Sequence, residues 1–132
     1  MTKNQQAFLD MIAVSEIGIP LLKATTNGYN VLVGATAAHP LTFTSYADHP
    51  NILNKSLKST AAGRYQLLHR YYDPYCRILG LTDFLPSSQD AIALQQIKEC
   101  RAFADIEAGN ITSAISKCAH IWASLPGASY GQ

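Results

Sequence analysis

The sequence predicts a mostly helical α+β domain with a small β-hairpin lobe. Apolar residues near the N-terminus recur at helical spacing. Two short segments in the first half are β-branched, aromatic or alternating, and the second half returns to helical periodicity broken by Pro and Gly. At 132 residues, 48% hydrophobic and 14% charged, the chain is a single domain able to bury its own core.

The first turn, Thr2-Lys3-Asn4-Gln5, is a capping box with Thr2 as N-cap. Phe8, Ile12 and Glu16 then share one stripe with Leu9 and Ala13, and the helix stops near Gly18 with Pro20 beyond it. Tyr29-Asn30-Val31-Leu32-Val33 reads as a strand introduced by Asn27-Gly28, and Leu41 to Tyr46 as a half-buried strand. The small, turn-prone residues from Gly34 to Pro40 make these a hairpin with a long loop. Asp48-His49-Pro50 breaks away into an irregular segment through Ser59. From Tyr65 the pattern is helical, with Leu68, Tyr72 and Tyr75 near one face. Asp73-Pro74 interrupts it, as a kink or as a fresh helix start. Pro86-Ser87 opens another helix with Ile92, Leu94 and Ile97 inside. Gly109-Asn110 ends a short helix and caps a last one carrying Ile111, Ala114, Ile115, Cys118 and Ile121. The tail from Pro126 to Gln132 is a loop.

A formal net charge of +1 argues against a dedicated nucleic-acid binder. Lys55, Lys58, Arg64, Arg70 and Arg77 cluster in a stretch where Asp73 is the only acid, which suits an anionic polymer or a solvated helix face. Cys76, Cys100 and Cys118 have no metal-type spacing, and reduced thiols are expected. No signal peptide is evident, because Asp10 interrupts the early apolar run, and no run approaches a membrane span.

Glu16 is the most informative residue. It lies in the last turn of the first helix and points where the core points. Desolvation and the negative end of the helix dipole both disfavour its anion, which is how a general acid stays protonated near neutral pH. The alternative is a glutamate that bends to solvent or accepts backbone hydrogen bonds. Two further segments suit a ligand. Ser59 to Gln66 joins small residues and a glycine to Tyr65 and Gln66, which could stack on and hydrogen-bond a sugar, or could simply pack a tight helix entry. Leu125 to Gln132 carries Tyr130 as its one aromatic anchor.

These residues resemble a known family. Phe8 to Glu16, Asn27 to Val31, Tyr46 to Pro50, Ser59 to Leu68, Ser88 to Lys98 and Asn110 to Gln132 look, in order, like the phage lambda-type endolysin family. The most specific pieces are Ala62-Gly63-Arg64-Tyr65-Gln66-Leu67-Leu68 and Ile121-Trp122-Ala123-Ser124-Leu125-Pro126-Gly127. The resemblance implies a lysozyme-like fold with a saccharide cleft. It also implies a peptidoglycan lytic transglycosylase that cleaves the β-1,4 bond between N-acetylmuramic acid and N-acetylglucosamine without water. Glu16 matches the single catalytic glutamate, Tyr65 and Gln66 the groove lining, and Tyr130 an aromatic of one lip. Tyr29 and Ser59 are further candidates for substrate contact. The implied partner is the glycan strand, met by a monomer without cofactor, metal, nucleic acid or membrane span. The protein would be held in the host cytoplasm until released to the cell wall.

One carboxylate suffices for this chemistry. Glycosidases usually need two, but an intramolecular 6-hydroxyl supplies proximity that a second would otherwise provide. Some family members carry glycine directly after the glutamate where Ile17 stands, and Asp where Asn30 stands. Relatives continue past the position of Gln132 into another helix, so residues 1–132 are expected to form one catalytic domain without it. The competing expectations are a water-using muramidase with Asp48 as second carboxylate, and a non-catalytic peptidoglycan-binding domain.

Overall fold

The computed structural model describes residues 1–127. These hold six helices: α1 (Lys3–Glu16), α2 (Ile19–Ala24), α3 (His69–Leu79), α4 (Pro86–Glu99), α5 (Phe103–Ala108) and α6 (Ile111–Cys118). The capping box at the start of α1 is formed, with Gln5 N–H donating to Thr2 Oγ1 and Thr2 N–H to Gln5 Oε1, each at 3.1 Å. Glu16 is the last residue of α1. The sequence reading missed α2, because Pro20 looked like a residue beyond a stop. Pro20 instead sits in the first turn of α2, where its missing N–H leaves no helical bond unmade. Gly18, at φ +87°, turns the corner between the two helices.

The expected hairpin contracts to isolated bridges. Val31 pairs antiparallel with Thr42, supported by Leu32 N–H on Leu41 O and Phe43 N–H on Asn30 O. Other backbone groups go elsewhere: Val33 N–H donates to Ala61 O, and Gly63 N–H to Val31 O. Divided between two neighbours, residues 29–33 and 41–46 build no ladder among the described residues. The helix expected from Tyr65 also starts late, at His69. Before it, Ala62 and Leu67 exchange two backbone hydrogen bonds around a tight turn with Gly63 at φ +85° and Gln66 at φ +53°. Helix α3 then runs on through Pro74, so Asp73-Pro74 is not a fresh start.

Two apolar clusters hold these parts together. The larger joins Phe8, Leu9, Ile12 and Ala13 of α1 to Ile97 of α4, Ile106 of α5, Ala114 and Cys118 of α6, and Trp122. Trp122 Nε1–H donates to Tyr65 O at 3.1 Å, so this core grips the 62–67 turn. The smaller gathers Phe43, Leu67, Tyr72, Phe84 and Ile92. His49 is buried against it and must donate Nε2–H to Leu67 O (2.8 Å), leaving Nδ1 to accept Asn51 N–H. Asn110 is the N-cap residue of α6, but its side chain makes no capping bond.

The 62–67 turn depends on glycine. A Cβ on Gly63 would lie 2.3 Å from Gln89 Oε1, at a φ that disfavours any side chain. Gly63→Ala should therefore cost about 2 kcal/mol or more, read as a lower urea midpoint with unchanged slope.

Candidate active site

Glu16 ends α1 half-buried, on the stripe that Phe8 and Ile12 sink into the core. Burial pushes its carboxyl above the ordinary glutamate range, and a hydrogen bond from the Ser124 side chain pulls part of the way back. A partly desolvated carboxyl with one hydroxyl donor can give a proton and take it back. Ser124 comes from the turn after α6, held in place by Trp122 and Leu125 in the core on either side.

A polar network is sunk beside the larger core. The Arg64 guanidinium, 5% exposed, donates Nε–H to Asn27 O (3.1 Å), Nη1–H to Tyr65 Oη (3.0 Å) and Nη2–H to Asp10 Oδ1 (3.0 Å). It also lies 5.4 Å and 5.5 Å from the ring centroids of Tyr29 and Tyr65. Both tyrosine hydroxyls donate to Asp90 Oδ1, at 2.9 Å and 2.5 Å. Burial and the Asp90 hydrogen bond push the Tyr65 phenol far up. Gln89 completes the set: its Oε1 accepts Arg64 N–H, while its Nε2 donates to Tyr29 O and Phe84 O.

The side chains expected to contact sugar and lying within the described residues are engaged by neighbours in the fold. Tyr65 is buried, with its hydroxyl spent on Asp90, so it offers no free face for a sugar to stack on. Tyr29 is half-buried and meets Tyr65 edge-on at 6.5 Å. Gln66 Nε2–H donates to Gly63 O at 2.8 Å and closes its own turn. Ser59 exchanges backbone bonds with Asn54, and its Oγ accepts Ala61 N–H. Asp48, the second carboxylate of the muramidase alternative, is exposed and its Oδ1 accepts the N–H of His49. Tyr130 lies outside the described residues. Tyr65 and Gln66 do line a groove of about 410 Å³ with Tyr71, Tyr75 and His120, but Glu16 is not among its walls.

Sequence reasoning missed Ser124, Arg64 and Asp90 as site residues. The one available signal was Arg64 inside a run of small residues, where a solvated lysine-like role has no room. Among the described residues no group of three His, Cys, Asp or Glu could hold a metal ion. No described helix is long and apolar enough to cross a membrane.

A family model described as Endolysin matches residues 6–132. The chain is 52% identical over 136 residues to the endolysin of Escherichia phage lambda, covering 100% of this chain and 83% of that protein. It is 49% identical over 140 residues to the endolysin of Escherichia phage P2, covering 98% and 84%. Among solved structures, the lysozyme from bacteriophage lambda superposes with a TM-score of 0.86 at 51% identity, covering 100% of this chain and 85% of that one. The bacteriophage lambda lysozyme complexed with a chitohexasaccharide gives 0.85 at 52% identity with the same coverage. The fold is therefore lysozyme-like.

The Ser124 contact can be tested without any assay of activity. Removing a donor to the anion should raise the Glu16 pKa further, so Ser124→Ala should shift its carboxyl titration upward in NMR. An unchanged or lowered midpoint would detach Ser124 from Glu16.

Proposed function

Because the chain belongs to the endolysin family, we propose that it degrades bacterial peptidoglycan as a lytic transglycosylase with Glu16 as the single acid and base. The observation that carries this reading is the Glu16 carboxyl itself, kept toward its protonated form by burial and met by a hydroxyl. The chitohexasaccharide bound by the lambda lysozyme supports a glycan substrate.

In the first half of the reaction Glu16 donates its proton to the oxygen of the β-1,4 bond as the bond to the muramic anomeric carbon breaks. The Glu16 carboxylate then takes the proton of the muramic 6-hydroxyl as that oxygen closes on the same carbon. The products are a free 4-hydroxyl and a 1,6-anhydro end, the carboxyl is restored, and no water is consumed. Ser124 holds the carboxylate during the interval when it is charged. A water-using reaction would need a second carboxylate, and Asp48, the candidate for that role, has its Oδ1 engaged by the N–H of His49.

We assign Tyr29 and Tyr65 to the buried network around Arg64 and Asp90, and keep Gln66, Ser59 and Tyr130 as candidate glycan contacts. The protein would act as a monomer on glycan strands, after release from the host cytoplasm to the wall.

Mass spectrometry of digested peptidoglycan decides the reaction class. A 1,6-anhydro end is expected; a reducing end would mean hydrolysis, and no release would mean binding alone.

Glu16→Gln should lower turnover by about 10³-fold or more while leaving glycan affinity in place. It should not cost stability. A carboxyl whose folded pKa is raised stabilises the fold fully only below its unfolded pKa, and that contribution is lost as pH rises through the folded value. Near neutral pH the amide should therefore be as stable as the wild type or more so, checked by thermal melts at pH 4 and 7. A variant that loses activity only because it unfolds would remove the support for Glu16.

The rate should also fall on the alkaline side with an apparent pKa above the ordinary glutamate range, since the first step needs Glu16 protonated. A profile flat through that region would count against a buried acid.

A further inference from the structure

We propose that Cys100 and Cys118 are a poised dithiol that closes to an intramolecular disulfide when the folded protein meets a small disulfide oxidant. Cys100 is the C-cap of α4, and Cys118 is the last residue of α6. Cys118 is fully buried in the larger core, and Cys100 packs on that core from its edge. Each thiol is close enough to shift the proton affinity of the other. The flanking backbone is tied as well. Lys117 donates Nζ–H to Arg101 O at 3.4 Å and pairs with Asp105 at 2.6 Å, so the residue before one cysteine grips the residue after the other.

Access sets the order of events. Cys100 lines the groove shared with Tyr71, Tyr75 and His120, whereas Cys118 has no exposed surface. The Cys100 thiol gives up its proton, and the thiolate attacks one sulfur of a disulfide such as oxidised glutathione, expelling one glutathione thiolate. Cys118, once deprotonated, attacks the Cys100 sulfur of the mixed disulfide and expels the second glutathione. The two cysteines lose two electrons and two protons, and one disulfide becomes two thiols.

Burial raises both thiols, Cys118 to about 12, while the nearby Cys118 thiol favours the Cys100 anion. Attack therefore starts at Cys100 and quickens with rising pH. The bridge would clamp the end of α4 to the end of α6 with α5 between them. Nothing in this depends on which bond of a glycan the protein cleaves. A chain folded in a reducing compartment would carry the open pair, and one moved to an oxidising compartment would close it.

The test is to treat the folded, full-length protein with oxidised glutathione at mildly alkaline pH and follow intact mass and a non-reducing peptide map. The expected product has lost two hydrogens, carries no glutathione and links the Cys100 and Cys118 peptides. Its Tm should rise by about 5–10 °C, reversibly on reduction. Cys76→Ser should behave like the wild type, and Cys118→Ser should accumulate a glutathione adduct at Cys100. A stable adduct at Cys100 with Cys118 present would overturn the pairing, as would a bridge to Cys76. A bridge that lowers Tm, or no reaction in either protein, would show that the thiols are not poised.

Discussion

The fold turns on a buried arginine. Arg64 brings a charge almost wholly out of water, a cost of several kcal/mol unless its donors are met. Burial works against the charge, and the hydrogen bonds to Tyr65 and Asp10 outweigh it, so the guanidinium stays ionised. The groups that meet it come from different parts of the chain: Asp10 from α1, Asn27 from the loop after α2, and Tyr65 from the 62–67 turn. Asp90 and Gln89 extend the tie to α4. Satisfying one cation thus fixes four segments against each other. The planar fork of guanidinium suits this role, since a lysine has no geometry to reach three fixed acceptors while lying between two rings.

That tie reaches Glu16, the proposed acid and base, indirectly. Helix α1 carries Asp10 in its middle and Glu16 at its end, so anchoring the first limits how the second can move. The same 62–67 turn that offers Arg64 and Tyr65 also accepts the Trp122 indole N–H, and Trp122 lies two residues before Ser124. Ser124 therefore approaches Glu16 on a segment held by the core rather than on a free loop. A hydroxyl carried on such a segment has a fixed position, which is what the proposed acid that must become a base would require.

Much of this was legible in the sequence. The Thr2–Gln5 box, Glu16 in the last turn of α1, and the inner faces of α4 and of α6 at Ala114, Ile115 and Cys118 follow from local chemistry that the structure does not override. Ile111, by contrast, is exposed, and Ile121 lies past the end of α6. The losses have particular causes. Pro20 was read as punctuation, although proline is equally at home inside a first turn. Tyr65 was drawn into a helical period that begins only at His69, because Leu68, Tyr72 and Tyr75 keep that period on their own. Its aromatic ring then looked available for a sugar, when in fact the hydroxyl is bound to Asp90. Ser124 could not be paired with Glu16, since no local spacing relates the two ends of the chain.

The two polar constellations answer opposite physical demands. Around Arg64 each of the three guanidinium nitrogens has an acceptor, and a cation so held stays charged across the range of pH where proteins fold. Around Glu16 burial raises the carboxyl, and the Ser124 hydroxyl offsets only part of that. A second donor of the guanidinium kind beside Glu16 would stabilise the anion and pull the carboxyl down, ending its use as an acid. A second carboxylate would disfavour the anion further and hinder the first step, in which the carboxyl must give up its proton. A neutral hydroxyl is the partner compatible with the proposed double role of one carboxyl, and the burial of the end of α1 is what raises that carboxyl.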